Sequence, residues 1–361
     1  MRSPSTGAVE VPSSALFPPT RPGYPPDGVS SVEGLRMNQD YEHEPVMTAE
    51  VVEAMSEAPA GAVLDATVGG GGHAAAILDA NAHLRIIGID RDPEAVDAAR
   101  SRLAPYGRRA TVHHARFDRL VEVAESEGVK EGELSGVLFD LGVSSPQIEH
   151  AERGFSYRRD GPLLMQMDPT DAESPTAADL VNNLPADALT RLFVANGEGK
   201  NASRLARRLV AGRPYSTTGQ LADAVSAATP AALRRRGHPA ARVFQALRIA
   251  VNDELEQLSD VLPRAISTLR PEGRCVAIAY HSGEDRIVKA AFAQAETGGC
   301  ACPPGLPCAC GAIPVGRLAR RGARKPTQAE VARNPRAESA RLRVLVRVGS
   351  TSPDDQPGSG G

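Results

Sequence analysis

Tryptophan is absent from this chain of 361 residues, and aromatic side chains make up only 4% of it. Any core must therefore be built mainly from Val, Leu, Ile and Ala, for which a hydrophobic content of 41% is sufficient. No apolar run is long enough to span a membrane, and no signal-peptide pattern is present, so a cytoplasmic location is expected. Cysteine is also scarce. Cys275 stands alone in an apolar stretch and reads as a core residue. The other four fall within eleven residues, as Cys300-Ala-Cys302 and Cys308-Ala-Cys310. Stable disulfides are not expected in a cytosolic protein. Two readings of the four remain: a structural zinc site, with C-x-C pairs tighter than the commoner C-x₂-C, or reduced, redox-sensitive thiols.

Lysine is nearly missing too, at four of the 41 basic residues, and the formal net charge is only -3. The distribution of charge says more than its sum. Residues 201–248 carry nine Arg against the single acid Asp223, and residues 313–348 carry ten Arg or Lys against Glu330 and Glu338. Two basic segments on a mildly acidic chain fit a polyanionic partner, although solvated faces in an arginine-rich protein would look the same.

The most specific pattern runs Val63-Leu-Asp-Ala-Thr-Val-Gly-Gly-Gly-Gly-His73, followed by Ile86-Ile-Gly-Ile-Asp90. An apolar run ends in a glycine turn, a helix-like segment follows over 74–80, and a second apolar run ends in an acid. This is the layout of a nucleotide-binding strand, turn, helix and strand, in which an acid about twenty residues past the glycines suits ribose hydroxyls. Enzymes that bind NAD space three glycines so that a helix N-terminus can hold a pyrophosphate. Here the glycines are contiguous and follow Asp65, whose charge would repel a pyrophosphate but suits the ammonium group of S-adenosylmethionine. No hydride-relay constellation accompanies them, which disfavours an oxidoreductase.

Strand-like segments at 62–68, 85–90, 110–114, 136–141 and 274–280 alternate with helix-like ones at 93–103 and 118–127, and 341–348 reads as an edge strand. Such alternation predicts a parallel sheet covered on both faces. It stops after Leu141 and resumes near Arg274. Between them, 186–195, 202–211, 218–228 and 241–269 carry apolar residues at helical spacing, with Pro263 placed to kink the last. The predicted fold is α/β, a Rossmann-like methyltransferase domain over 41–147 and 250–349, with an all-helical insertion over 148–249 that carries the Arg234-Arg235-Arg236 turn. Residues 1–40, with seven Pro, and 350–361 are expected to be disordered, and Met37 is a candidate translation start.

Asp140 closes the fourth apolar run. If the methyl acceptor is an exocyclic amine, its lone pair is delocalised into the ring, and a carboxylate accepting its N–H groups would restore nucleophilicity and remove the proton. The bland alternative for Asp140 is to bond the cofactor amine or cap the next turn. Around it, Asp140-Leu-Gly-Val-Ser-Ser-Pro-Gln147, Glu152-Arg-Gly-Phe-Ser-Tyr157, Arg159-Asp-Gly-Pro-Leu163, His43-Glu-Pro-Val-Met47, Phe244-Gln-Ala-Leu-Arg-Ile249 and Asn334-Pro-Arg-Ala337 closely resemble the ribosomal RNA small subunit methyltransferase H family. The resemblance covers residues 41 to 347. It implies transfer of methyl from S-adenosylmethionine to N4 of a cytidine in 16S ribosomal RNA, near the decoding centre, with the small subunit or its late precursor as partner. It further implies cofactor contacts from Gly71, Gly72, His73, Asp90, Phe117, Asp140 and Gln147. Phe155, Tyr157, Arg158 and Arg159 combine aromatic and cationic groups that suit an extruded base and its phosphates.

Two departures stand out. Leu163-Leu-Met-Gln-Met167 replaces a family Leu-Asp-Met-Arg-Met, losing an acid and a base together, and Gly283 replaces a Leu. Ser282 is expected to cap the helix that follows, with Asp285 at its third position. A non-enzymatic RNA-binding module and an amino-directed DNA methyltransferase are the other readings, and the Asp/Asn-Pro-Pro-aromatic motif of the latter is absent. Monomer and homodimer both remain open.

Overall fold

A computed structural model describes residues 45–196, 199, 201–230, 238–303 and 309–349. The expectations for 1–40, 350–361, the Arg234–Arg236 turn and Cys308 lie outside these residues.

Seven strands form one sheet in the order β3-β2-β1-β4-β5-β7-β6. They are β1 (Gly61–Asp65), β2 (Leu84–Asp90), β3 (Ala110–His114), β4 (Leu134–Asp140), β5 (Leu269–Ala279), β6 (Gly316–Leu318) and β7 (Arg341–Arg347). The first five run parallel, while β7 is antiparallel to β5 and to β6. The chain steps outward from β1 to β3 and then crosses to β4 on the other side of β1. That reversal opens a crevice above the carboxyl ends of β1 and β4, the place where open α/β sheets bind ligands. Asp65, Asp90 and Asp140 end β1, β2 and β4.

The strands are near-continuous apolar runs because both faces are covered. In β4, Val137 and Phe139 point to one face and Leu138 to the other, as a two-residue period dictates. Helices α1 (Thr48–Ser56), α2 (Gly72–Ala80) and α3 (Pro93–Leu103) cover the Leu138 face through Met55, Ile77 and Leu103. The Phe139 face is covered by α4 (Leu120–Ser126) with Leu120. Each large apolar side chain so buried contributes roughly 1.5–3 kcal/mol relative to exposure.

After β4 come the short α5 (Ser145–Glu149) and then α6 (Ala177–Asn183), α7 (Ala186–Ala195), α8 (Ala202–Ala211), α9 (Thr218–Ala228) and α10 (Ala240–Asn252). From α6 onward they share a core of their own, including Leu180, Leu189, Phe193, Leu205, Val225, Phe244 and Leu247. The single helix expected over 241–269 is in fact two. Asp253 adopts a left-handed conformation (φ 51°) between α10 and α11 (Glu254–Ser267), ending one helix and starting the next. The boundary expected at residue 249 therefore falls inside α10. Pro263 sits inside α11 without ending it. Leu258, Val261, Leu262 and Ala265 of α11 return to the sheet core.

The turn between α10 and α11 is also where the helical segment is locked to the sheet. Asn252 donates to the Met165 carbonyl and accepts from the Met167 N–H, both at 2.8 Å, while its own carbonyl accepts from Arg91 at 3.0 Å. Gln166, one of the two departures, turns its amide onto the Ser174 and Asp171 carbonyls at 2.8 and 3.3 Å, so it closes its own loop.

The last long helix, α12 (Ser282–Thr297), corrects another expectation: His281, not Ser282, is its N-cap, and Glu284 completes the capping box. The His281 Nδ1 accepts from the Gly283 and Glu284 amides at 3.1 and 3.4 Å. Asp285 instead pairs with Arg343 of β7 at 2.8 Å. A β-carbon at Gly283 would stand 3.0 Å from the His281 ring, so glycine is the residue that leaves this cap uncrowded. The short α13 (Gln328–Arg333) precedes β7, and its Glu330 accepts from the Met47 amide at the start of α1.

Candidate active site

Two cavities meet above the crevice. The narrower, of about 150 Å³, is lined by Ala66, Thr67, Gly69, Asp90, Arg91, Phe117, Asp140, Gln147, Glu254, Leu258 and Tyr280 among others. The wider, of about 740 Å³, runs from Pro45 and Val46 past Gly69, Gly70, Gly72 and His73 to Arg248, Arg333 and Arg336. Both are walled by Thr67, Gly69, Asp140, Gly142, Val143, Ser144 and Tyr280. Asp140 thus stands where the two join.

Its carboxylate is held from both sides. The Tyr280 hydroxyl, just past β5, donates to Oδ1 at 2.7 Å, and the His73 Nε2 lies 3.4 Å from Oδ2. The Asp140 backbone N–H donates to the Thr67 hydroxyl at 2.6 Å. Burial, and then the neighbouring Asp140, push the Tyr280 pKa well above its usual value, so the phenol stays protonated and serves as a donor. Burial opposes a charged His73, but the Asp140 carboxylate 3.4 Å away, with Asp65 behind, outweighs it and raises the imidazole pKa. Among the described residues, neither ring nitrogen of His73 has a hydrogen bond of good geometry. A buried imidazole so placed has capacity for a ligand.

Asp65 does not reach either cavity. It is 1% exposed, accepts from the Thr67 amide at 3.3 Å, and leaves Oδ2 without a partner. Desolvation raises its pKa to about 7 despite the opposing charge of His73. The carboxyl expected to face an ammonium group therefore lies beneath the site.

Asp90 does face the narrower cavity. Its Oδ2 accepts from the Gly69 amide and its Oδ1 from the Asp92 amide, both at 2.9 Å. Burial raises its pKa to about 6. Phe117 forms the apolar wall, edge-on to Phe139 at 6.2 Å between ring centroids. A flat ring, a carboxylate and apolar Ala66 and Leu258 suit a nucleoside. Gln147 lines the same cavity, but its amide is already engaged by the Ser144 N–H and Asp92.

The glycines divide differently from the expectation. Gly69, with φ 51°, and Gly70 border the wider cavity. Gly71 borders neither cavity, and its own β-carbon would meet the Ala99 backbone at 3.3 Å. A β-carbon at Gly72 would come within 2.4 Å of Pro45. The chain's own packing crowds these two positions.

On the helical side, Phe155 lies in the helical core, where it anchors the segment rather than facing a cavity. Tyr157 is half-buried, stacked on His238 at 4.5 Å and edge-on to Phe244. Arg158 and Arg159 are exposed, with the Arg158 guanidinium 5.6 Å from the Tyr157 ring centre. None of these four lines either cavity.

Sequence reasoning passed over Thr67, Tyr280, Arg153 and the basic rim of Arg248, Arg333 and Arg336. Arg153 is buried and pairs with Asp92 at 2.8 Å and Glu94 at 3.4 Å. An Asp capping a Pro-initiated helix gave a local signal for Asp92, but nothing local pointed to its partner.

Residues 40–348 match the MraW methylase family. A ribosomal RNA small subunit methyltransferase H from Thermobifida fusca is 49% identical over 319 residues, covering 85% of this chain and 93% of that protein. The enzyme of the same name from Symbiobacterium thermophilum is 46% identical over 314 residues, 85% of this chain and 97% of the relative. That from Heliobacterium modesticaldum is 45% identical over 314 residues, covering 85% and 99%. With residues 40–348 matching the family model and 85% of its length aligned to these relatives at 45–49% identity, the chain belongs to the MraW methylase family.

Proposed function

We propose that this protein transfers the methyl group of S-adenosylmethionine to the exocyclic N4 of a cytidine in 16S ribosomal RNA, near the decoding centre, acting in the cytoplasm on the small subunit or its late precursor. The observation that carries the reading is the placement of Asp140 between a narrower cavity walled by Asp90 and Phe117 and a wider one rimmed by Arg248, Arg333 and Arg336. In this reading the narrower cavity takes the adenosine, with Asp90 on the ribose and Phe117 beside the adenine. Gly69, Gly72 and His73 then border the amino-acid end. Bound, the cofactor supplies a methyl group on a positively charged sulfur, ready for attack by a nucleophile.

Asp140 accepts an N–H of the target amine, which sharpens the nitrogen lone pair, and takes the proton released when the nitrogen gains the methyl. Tyr280 fixes the carboxylate orientation as a donor to Oδ1. His73, 3.4 Å from Oδ2 with Asp65 behind it, keeps the surroundings of that oxygen polar and favours its charged form. The helical segment 148–249 serves as the RNA platform, since Arg204, Arg207 and Arg208 of α8 and the Arg158–Arg159 pair are exposed. Arg320, Arg321 and Lys325 extend the same chemistry on the other basic segment. Guanidinium groups suit phosphates, and the target base must leave its stack to reach a recessed carboxylate.

The test is methyl transfer from labelled cofactor to small subunits lacking the modification, with nuclease digestion and mass spectrometry to locate the product. N4-methylcytidine at a single 16S position is the expected result. Labelled product on another base, or none despite demonstrated cofactor binding, would remove the substrate assignment.

The raised pKa of Asp90 gives a pH prediction. Only the carboxylate accepts both ribose hydroxyls, so affinity is full above about pH 6 and falls as pH drops through it. The dissociation constant for S-adenosylmethionine is expected to rise about tenfold per pH unit below that point. Calorimetry between pH 7 and 5 checks this against Asp90→Asn, whose profile should be flat. A wild-type profile as flat as the variant's would take Asp90 off the ribose.

A further inference from the structure

Between α12 and β6, three thiols converge among described residues that are mostly exposed. The Sγ atoms of Cys300, Cys302 and Cys310 all lie within 4.8 Å of one another, and Cys300 and Cys310 are 3.6 Å apart. A disulfide would bring two sulfurs to about 2.05 Å. Zinc–sulfur bonds of about 2.3 Å at tetrahedral angles place thiolates about 3.8 Å apart; the Cys300–Cys310 separation is close to this, and the other two lie within 4.8 Å. The described residues around them, Ala301, Pro303, Ala309, Gly311 and Pro314, are exposed, so among the described residues no apolar burial accounts for the convergence.

The base of this loop is closed by other means. Cys300 donates its amide to the Thr297 carbonyl at 3.1 Å, and Val315 donates to Ala295 at 2.9 Å, so the chain returns alongside the end of α12. A β-carbon on Gly298 would come within 2.4 Å of the Ile313 backbone, which shows how closely the two limbs pack. What the backbone does not explain is why the sulfurs gather beyond that base.

We propose that Cys300, Cys302 and Cys310 bind one zinc ion as thiolates, clipping the loop that leads into the basic C-terminal segment. Each thiol gives up its proton to solvent as it binds, and a water or a further protein donor completes the fourth position. The role is structural, because none of the three lines either cavity. The site stands whether or not the methyl-transfer reading does.

The experiment uses the full chain, purified under reducing conditions without chelator, exposed to zinc and dialysed. Elemental analysis and native mass spectrometry should find one zinc per chain, released on titration with a thiol-blocking reagent. Cobalt(II) in its place should give the intense visible bands of a tetrahedral thiolate complex. Cys302→Ser and the triple variant Cys300→Ser, Cys302→Ser, Cys310→Ser should lose the metal with unchanged circular dichroism and cofactor affinity, which separates loss of the site from loss of the fold. Zinc no higher than in the triple variant would overturn the proposal. So would iron with sulfide in place of zinc, or a disulfide-linked peptide from this loop in a non-reduced digest.

Discussion

Asp140→Asn is expected to lower the rate of methyl transfer by about 10²–10⁴-fold, the range a positioned acid or base contributes. The amide keeps the shape of the side chain, and its oxygen can still accept from Tyr280, 2.7 Å from Oδ1 in the native protein. What it loses is the negative charge that faces His73 and the capacity to receive a proton. Single-turnover rates at saturating cofactor isolate this step, with cofactor affinity measured separately. A normal rate at saturation with weakened affinity would make Asp140 a cofactor anchor and sink its role as proton acceptor. Tyr280→Phe removes one hydrogen bond but no acceptor, so about a tenfold loss is expected, with the dependence on Asp140 intact.

Arg153→Met is expected to cost about 3–5 kcal/mol of stability, because it strips a buried carboxylate of its cation. Arg153 reaches Asp92 at 2.8 Å and also donates to the Met167 and Gln166 carbonyls at 2.9 and 3.3 Å. Asp92 is 1% exposed, and the Gln147 amide and the Glu94 N–H are neutral donors that do not balance its charge. In thermal unfolding the loss should appear as a fall of roughly 5–8 °C in Tm. Adding Asp92→Asn removes the orphaned charge and should recover part of the fall. A single variant within about 1 kcal/mol of wild type would show that water satisfies Asp92 without Arg153. Because Gln147 shares Asp92 and lines the narrower cavity, cofactor affinity should weaken along with stability.

That pair illustrates the limit of sequence reading here. Asp92 was legible as the residue before Pro93, and Arg153 as part of a motif, yet their meeting joins the sheet to the chain beyond β4. Local signals travel only a few residues. A period of two or of 3.6, a glycine turn and an acid after a strand place β1 to β4 and put Asp90 and Asp140 at strand ends. They also mark α7, α8 and α9 to the residue, because apolar residues at helical spacing show where each amphipathic face begins and ends, with a Thr217 capping box added for α9.

The sequence by itself determined the alternating fold, the helical segment after β4, the nucleotide-type crevice and the family. Tertiary packing alone decided the rest. Asp253 breaks α10 from α11 because its neighbour Asn252 is bonded to Met165 and Met167, more than eighty residues away. Gly72 faces Pro45, Asp65 lies beneath the site, and His281 rather than Ser282 caps α12. Tyr280 reaches Asp140 across 140 positions. A four-glycine run announces that a backbone must pass close to something. Only the folded chain shows that for two of the four this is the protein itself, since crowding is set by what packs against a residue and not by its neighbours in sequence.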